Sequence, residues 1–72
     1  MELDLTGLKC PLPILKTKKA LAGLKTGDVL TVKVTDPNAP DDFSAFCRQT
    51  GHVLLEQKTS SENIFIMTIQ HK

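Results

Sequence analysis

The sequence lacks several features that mark common classes of small protein. Among its 72 residues there is no tryptophan and no tyrosine, and the only aromatic side chains are three phenylalanines. Nine lysine and arginine side chains against eight acidic ones leave a formal net charge of +1. Proteins that bind nucleic acid through its backbone usually combine a strong positive charge with aromatic stacking surfaces. The composition therefore argues against a nucleic-acid-binding module and against electrostatic attachment to an anionic membrane.

Long apolar runs and a cysteine framework are also missing. No uninterrupted apolar stretch approaches the ~20 residues of a membrane helix, and the first residues lack the pattern of a secretory signal, so we expect a cytoplasmic protein. Cys10 and Cys47 are too few for a disulfide scaffold, and the sequence has no Cys-x-x-Cys or Cys/His cluster at zinc spacing. Each thiol is therefore considered singly, and no metal site is expected.

The hydrophobic pattern predicts an α+β fold in the order β-α-β-α-β-β. Alternation with period two predicts four strands, over residues 2–6, 29–35, 52–58 and 64–70. Helical spacing predicts two amphipathic helices, over residues 11–24 and 40–50. Since the strands have one apolar and one mainly polar face, both helices should pack on one face of a four-stranded mixed sheet. We expect a two-layer sandwich that forms a single domain over residues 1–72.

The opposite face of this sheet is expected to be largely open. Ile64 and Ile66 would lie on it beside Thr68 as a small apolar patch. Scattered apolar side chains are common on protein surfaces, so we interpret them in that way. A docking surface is the alternative.

Cys10 lies where the first strand gives way to the first helix. Pro11 suits the first helical position, where a missing N–H costs nothing, and this places Cys10 at or beside the N-cap. Unpaired N–H groups, the helix dipole and Lys9 would all favour the thiolate. Pro11 and Pro13 fix two φ angles and hold the thiol in place. Because serine or aspartate caps a helix better, we interpret Cys10 as a catalytic nucleophile that the two prolines support.

Other side chains are assigned roles that do not involve the nucleophile itself. Lys9, Leu12, Lys16 and Lys19 are interpreted as a surface that binds a partner, which the lysines would favour if it is acidic. Cys47 shares an apolar helical stripe with two phenylalanines and is therefore expected to be a buried core residue. The two histidines, His52 and His71, are expected to be structural or frayed.

The residues around Cys10 also resemble a known family signature. The run Leu3-Asp4-Leu5-Thr6-Gly7-Leu8-Lys9-Cys10-Pro11-Leu12-Pro13-Ile14-Leu15-Lys16-Thr17 resembles that of the TusA/SirA family of small sulfur carriers, whose core is Cys-Pro-x-Pro. The likeness continues through Gly27-Asp28, Asp36-Pro37, Asp42-Phe43, Phe46-Cys47 and Gly51-His52. It therefore covers nearly the whole chain.

The resemblance implies a two-layer sandwich in which Cys10 carries sulfane sulfur as a persulfide. It implies a sulfurtransferase that acts as a relay, taking sulfur from a cysteine desulfurase or a rhodanese-type donor and passing it to an acceptor protein. Family destinations are 2-thiolation of the tRNA wobble uridine, molybdenum cofactor synthesis and sulfur oxidation. Leu12 replaces the acidic residue of a thiouridine-pathway member, so the destination stays open. We expect a monomer that needs no cofactor and contacts neither nucleic acid nor membrane.

Two other functions are weighed against this one. A small RNA- or protein-binding module without sulfur chemistry is possible, since sandwiches of this order also occur in RNA-binding proteins such as the C-terminal domain of translation initiation factor three. The weak charge and the scarcity of aromatic residues argue against it. A thiol redox regulator with a Cys10–Cys47 switch disulfide is disfavoured by the predicted burial of Cys47.

Overall fold

The computed structural model describes residues 1–9, 11–60 and 62–72. Six elements follow one another: β1 (Glu2–Leu5), α1 (Leu12–Ala22), β2 (Val29–Val34), α2 (Ala39–Thr50), β3 (Val53–Thr59) and β4 (Phe65–Gln70). The strands form one sheet in the order β1-β2-β4-β3. β1 is parallel to β2, while β4 is antiparallel to both β2 and β3. The predicted element order and mixed sheet are confirmed.

The centre of the core is supplied by the two middle strands. Leu30 and Val32 of β2 have no solvent exposure, and in the register of the sheet they lie opposite Ile69 and Met67 of β4. Successive side chains of a strand point to opposite faces, so these four residues share one face. The alternation seen in the sequence thus corresponds to a buried and an outer face of the sheet.

Both helices cover that buried face. Leu21 of α1 joins the same core cluster as Phe43, Phe46 and Cys47 of α2. Phe43 has no solvent exposure, and full burial of such a side chain contributes about 1.5–3 kcal/mol. Within the described ranges, neither helix combines the length and the apolar composition needed to cross a membrane. The two layers are therefore one sheet and one pair of helices, as predicted.

The first helix begins one residue later than predicted. Pro11 is its N-cap, with φ −97° and ψ 9°, and Leu12 is the first helical residue. The assignment of Pro11 to the first helical position is therefore wrong. Pro13, rather than Pro11, is the proline within the first turn, where its missing N–H costs nothing. At the other end the helix stops at Ala22 rather than residue 24.

The outer face of the sheet carries the patch considered above. Ile66 lies opposite Lys33 of β2 in the register, and Ile64 precedes β4. Both isoleucines are half-buried and line a shallow depression with Lys33, Ser60 and Glu62. The two isoleucines thus lie together among polar and charged side chains, and both interpretations of the patch stay predictions.

Candidate functional site

Two connections meet at one end of the sheet. Because β1 and β2 are parallel, the chain leaves both strands at the same end, first toward α1 and then toward α2. The Gly7 N–H donates to Thr35 Oγ1 at 2.8 Å and so joins the two connections. Gly7 adopts φ 82°, a left-handed conformation that glycine tolerates without a steric penalty. This end of the sheet is where the connection that contains the predicted site begins.

Cys10 itself lies outside the described residues, so the site is built here from its neighbours. On its N-terminal side, the Leu8 N–H donates to the Leu5 carbonyl oxygen at 3.3 Å, and the Leu8 side chain packs against the core. The Lys9 carbonyl oxygen accepts a hydrogen bond of 2.9 Å from the Leu12 N–H on the C-terminal side. The backbone on both sides of Cys10 is therefore fixed by hydrogen bonds.

The start of α1 offers fewer free donors than the sequence suggests. The Leu12 N–H already donates to Lys9, and Pro11 and Pro13 have no N–H. No side chain of the described residues caps this helix, and its first turn holds no acidic residue. Residues 11–13 therefore supply no free N–H to an anion at this end of α1, and the features that favour negative charge here are the helix dipole and the charge of Lys9.

The two prolines of the motif differ in burial. Pro11 is exposed, whereas Pro13 is buried on the face of α1 that also carries Thr17 and Leu21. Pro13 thus anchors the first turn to the core, and the Leu15 N–H donates to the Pro11 carbonyl oxygen at 3.1 Å. The support that Pro11 and Pro13 give to Cys10 stays a prediction.

The residues predicted to bind a partner separate into two groups. Lys16 and Lys19 line one groove between α1 and β1, and neither Lys9 nor Leu12 lines that groove. Leu12 leaves 46% of its surface exposed, and the Lys9 side chain is exposed as well. Lys18 lines a different groove on the far side of the helix. The exposed lysines of α1 therefore lie on more than one side of the helix.

Asp36 stabilises the connection that follows β2. It is buried at the end of β2, and its Oδ1 accepts a hydrogen bond of 3.0 Å from the Asn38 N–H. Its carbonyl oxygen also accepts from the Ala39 N–H at 2.9 Å. An aspartate that bonds a backbone N–H two residues ahead forms an Asx-turn, and the Asp-Pro-Asn sequence signals such a turn. Asp36 thereby fixes the connection that carries Thr35.

The remaining thiol, that of Cys47, belongs to α2, while His52 precedes β3 and His71 follows β4. Cys47 is buried, and burial raises the pKa of its thiol, as expected for a core cysteine. The His52 ring lies 5.9 Å from Phe46 and 4.8 Å from His71 between ring centroids. Burial, followed by the charges of His71 and Lys72, lowers the pKa of His52. In the described part of the chain, no three His, Cys, Asp or Glu side chains gather closely enough to hold a metal ion.

Comparisons with known proteins point to one family. The family model for "Sulfurtransferase TusA" matches residues 1–71. A putative sulfur carrier protein of Neisseria meningitidis is 63% identical over 70 residues, which are 97% of this chain and 93% of that protein. The sulfur carrier protein TusA of Allochromatium vinosum is 54% identical over 57 residues, which are 79% of this chain and 75% of that protein.

A solved structure agrees with these sequence matches. The crystal structure of a SirA-like protein from Desulfitobacterium hafniense superimposes with a TM-score of 0.86 at 28% sequence identity. The superposition covers 96% of this chain and 93% of that one. The two-layer arrangement described above therefore occurs in a solved relative.

Proposed function

Because the chain belongs to the TusA family of sulfurtransferases and sulfur carriers, we propose that it takes up sulfane sulfur as a persulfide on Cys10. The observation that carries the proposal is the family match over residues 1–71, which includes the Cys-Pro-Leu-Pro motif at residues 10–13. Sulfur carriers act between a donor and an acceptor protein. We propose a cysteine desulfurase or a rhodanese-type protein as the donor.

The proposed step is a thiol–persulfide exchange. The Cys10 thiolate attacks the terminal sulfur of the donor's persulfide, forming a new S–S bond while the donor's S–S bond breaks. The donor cysteine leaves as a thiolate, and the terminal sulfur keeps its proton. An acceptor thiolate then attacks the persulfide on Cys10 in the same way. Neither transfer needs an external oxidant or reductant, because the sulfane sulfur moves with its oxidation state unchanged.

The described neighbours of Cys10 support this chemistry. Lys9 and Pro11 are exposed on either side of it, and the backbone of both is hydrogen-bonded. All charged side chains of α1 are lysines, so the helix adds no negative charge that would oppose a thiolate. A carrier needs such a site at the surface, since donor and acceptor must reach the sulfur in turn. Cys47, by contrast, is buried with a raised pKa and is not expected to carry sulfur.

Intact-mass measurement tests the proposal. The protein is incubated with a cysteine desulfurase and cysteine, or with a rhodanese and thiosulfate, and should gain the mass of one sulfur atom that dithiothreitol removes. Cys10→Ala should abolish the increment, whereas the matched control Cys47→Ala should keep it. An increment that survives Cys10→Ala, or that disappears in Cys47→Ala while the fold is intact, would contradict the proposal.

The destination of the sulfur is proposed more broadly. We propose that an acceptor protein of tRNA thiolation, of molybdenum cofactor synthesis or of sulfur oxidation receives it from a cytoplasmic, monomeric, single-domain carrier. The exposed and neutral Leu12 within the motif favours an acceptor with an apolar contact at this point. Transfer of labelled sulfur from the loaded protein to purified acceptors of each class would select among them, and light scattering would test the monomer.

A further inference from the structure

A groove of about 450 Å³ runs between β1 and α1. Its lining is mainly apolar and comes from the two elements and the residues next to them: Met1, Leu3, Leu5, Ala20 and Gly23. Lys16 and Lys19 of α1 complete the lining. Among the described residues, no acidic side chain lines this groove, so its two positive charges are not neutralised from within it.

The same groove lies beside an edge of the sheet. β1 is the first strand in the order β1-β2-β4-β3, so one side of its backbone has no neighbouring strand within the described sheet. Such an edge presents N–H and C=O groups that can pair with another extended segment. The edge and the apolar groove are adjacent because Leu3 and Leu5 belong to β1 and line the groove.

The acidic residues of β1 point away from the groove. Glu2 and Asp4 alternate with the groove-lining leucines and therefore lie on the outer face of the sheet. Glu2 approaches Lys33 at 4.0 Å, and Asp4 accepts hydrogen bonds from the backbone and the hydroxyl of Thr6. The groove is thus basic at its rim although its strand carries two carboxylates.

We propose that this groove docks an extended acidic segment of a partner protein, which adds as a strand beside β1. Alternate side chains of that segment would face the groove, where apolar groups fill it and carboxylates reach Lys16 and Lys19. The side chains between them would lie on the outer face next to Glu2 and Asp4, and should be neutral. The inference rests on the proposed function for one point, namely that the partner is a sulfur donor or acceptor.

Charge complementarity also decides against a second copy of this chain as the occupant. A symmetric interface uses the same patch on both subunits. Two copies joined through this groove would bring two identical pairs of lysines into one interface, where like charges oppose association. The docked segment must therefore be negatively charged, and the groove of a second copy is not.

A designed peptide probes the groove without any sulfur chemistry. The peptide has eight residues, with threonine at every odd position and with leucine and glutamate alternating at the even positions. A control peptide has lysine in place of each glutamate. Each is titrated into ¹⁵N-labelled protein carrying Cys10→Ser while amide chemical shifts are followed. We expect saturable shifts at β1 and along the groove side of α1 with the glutamate peptide. Binding of the lysine peptide should be about tenfold weaker, because two attractive charge pairs become repulsive.

Charge reversal on the protein supplies the matched comparison. The double variant Lys16→Glu/Lys19→Glu should lose at least about tenfold in affinity for the glutamate peptide and gain affinity for the lysine peptide. Lys18→Glu changes the same charge on the same helix, but Lys18 lines another groove, so its affinity should stay within about twofold. Equal effects of Lys18→Glu and the double variant would mean that net charge alone binds the peptide, and would overturn the proposal.

Other outcomes also overturn the docking proposal. These are shifts that map to the patch at Ile64 and Ile66, concentration-dependent dimerisation through β1, and the absence of saturable shifts. The persulfide assay separates this result from the proposed function, because it reads the mass of Cys10 and needs no peptide. Sulfur uptake on Cys10 without peptide binding would refute the groove alone, whereas peptide binding without sulfur uptake would refute the proposed function alone.

Discussion

Replacement of Thr17 by valine should stabilise the protein. Thr17 lies in the middle of α1 with no solvent exposure, and its hydroxyl oxygen has no hydrogen-bond partner among the described residues. A buried polar group without a partner costs about 1–3 kcal/mol. Valine has nearly the same shape and replaces the hydroxyl with a methyl group, and the two residues have similar helix propensities. We expect the free energy of unfolding of Thr17→Val to rise by about 1–2 kcal/mol.

Urea and thermal unfolding, followed by far-ultraviolet circular dichroism, measure this change. For a domain of 60–100 residues, each kcal/mol shifts Tm by about 4–8 °C, so Tm should rise by roughly 5 °C or more while the urea m-value stays constant. Thr17→Ser is the matched control, because it keeps the hydroxyl and removes the methyl, and it should lose about 1 kcal/mol. A Thr17→Val protein less stable than wild type would refute the reasoning, since it would mean that the hydroxyl is satisfied.

The remaining predictions concern the core thiol, the core phenylalanine and a histidine. Phe43→Ala should lower the free energy of unfolding by about 3–5 kcal/mol in urea titrations, because Phe43 is fully buried, and a loss below 1 kcal/mol would contradict its central place. Iodoacetamide should alkylate Cys47 in urea but barely in the native state, since the pKa of its thiol is raised; rapid native labelling, read by peptide mass mapping, would disprove this. Folding lowers the pKa of His52 below 6.5, so as pH drops from about 7 the unfolded chain takes up a proton on this imidazole before the folded protein does. The free energy of unfolding should therefore fall with decreasing pH until the pH has passed the lowered pKa. His52→Gln should reduce the change in the free energy of unfolding over this pH range. An unchanged pH dependence in this variant would mean that other groups cause it.

Much of the fold follows from local patterns in the sequence. The alternation in β2 predicts its buried face because a strand buries every second residue, and Leu30, Val32 and Val34 are indeed fully buried. The burial of Cys47 likewise follows from its spacing to Phe43 and Phe46 on one helix face. The start of α1 was placed one residue early because both Pro11 and Pro13 suit a first turn, and local preference does not choose between them.

Features that depend on contacts between elements were not predictable in this way. The groove beside Lys16 is lined by residues of both α1 and β1, and no periodicity of either segment encodes the gap between them. Thr17 falls on the apolar stripe of α1, but the missing partner of its hydroxyl becomes visible only when its neighbours are in place. The burial of Asp36 likewise depends on the tertiary structure, whereas its turn follows from the local sequence. The assignment of Cys10 rests on its place before Pro11 and on the family resemblance, because Cys10 lies outside the described residues.

The hydrogen bond between Gly7 and Thr35 has a consequence for the order in which the chain folds. It joins groups 28 residues apart in sequence, and the parallel pairing of β1 with β2 likewise spans all of α1. The β3–β4 hairpin, in contrast, is closed by a short connection. Since contacts between nearby residues form faster than distant ones, we expect the hairpin to form early and the connection after β1 to be tied down late. Sulfur loading would then be restricted to chains whose folding is complete.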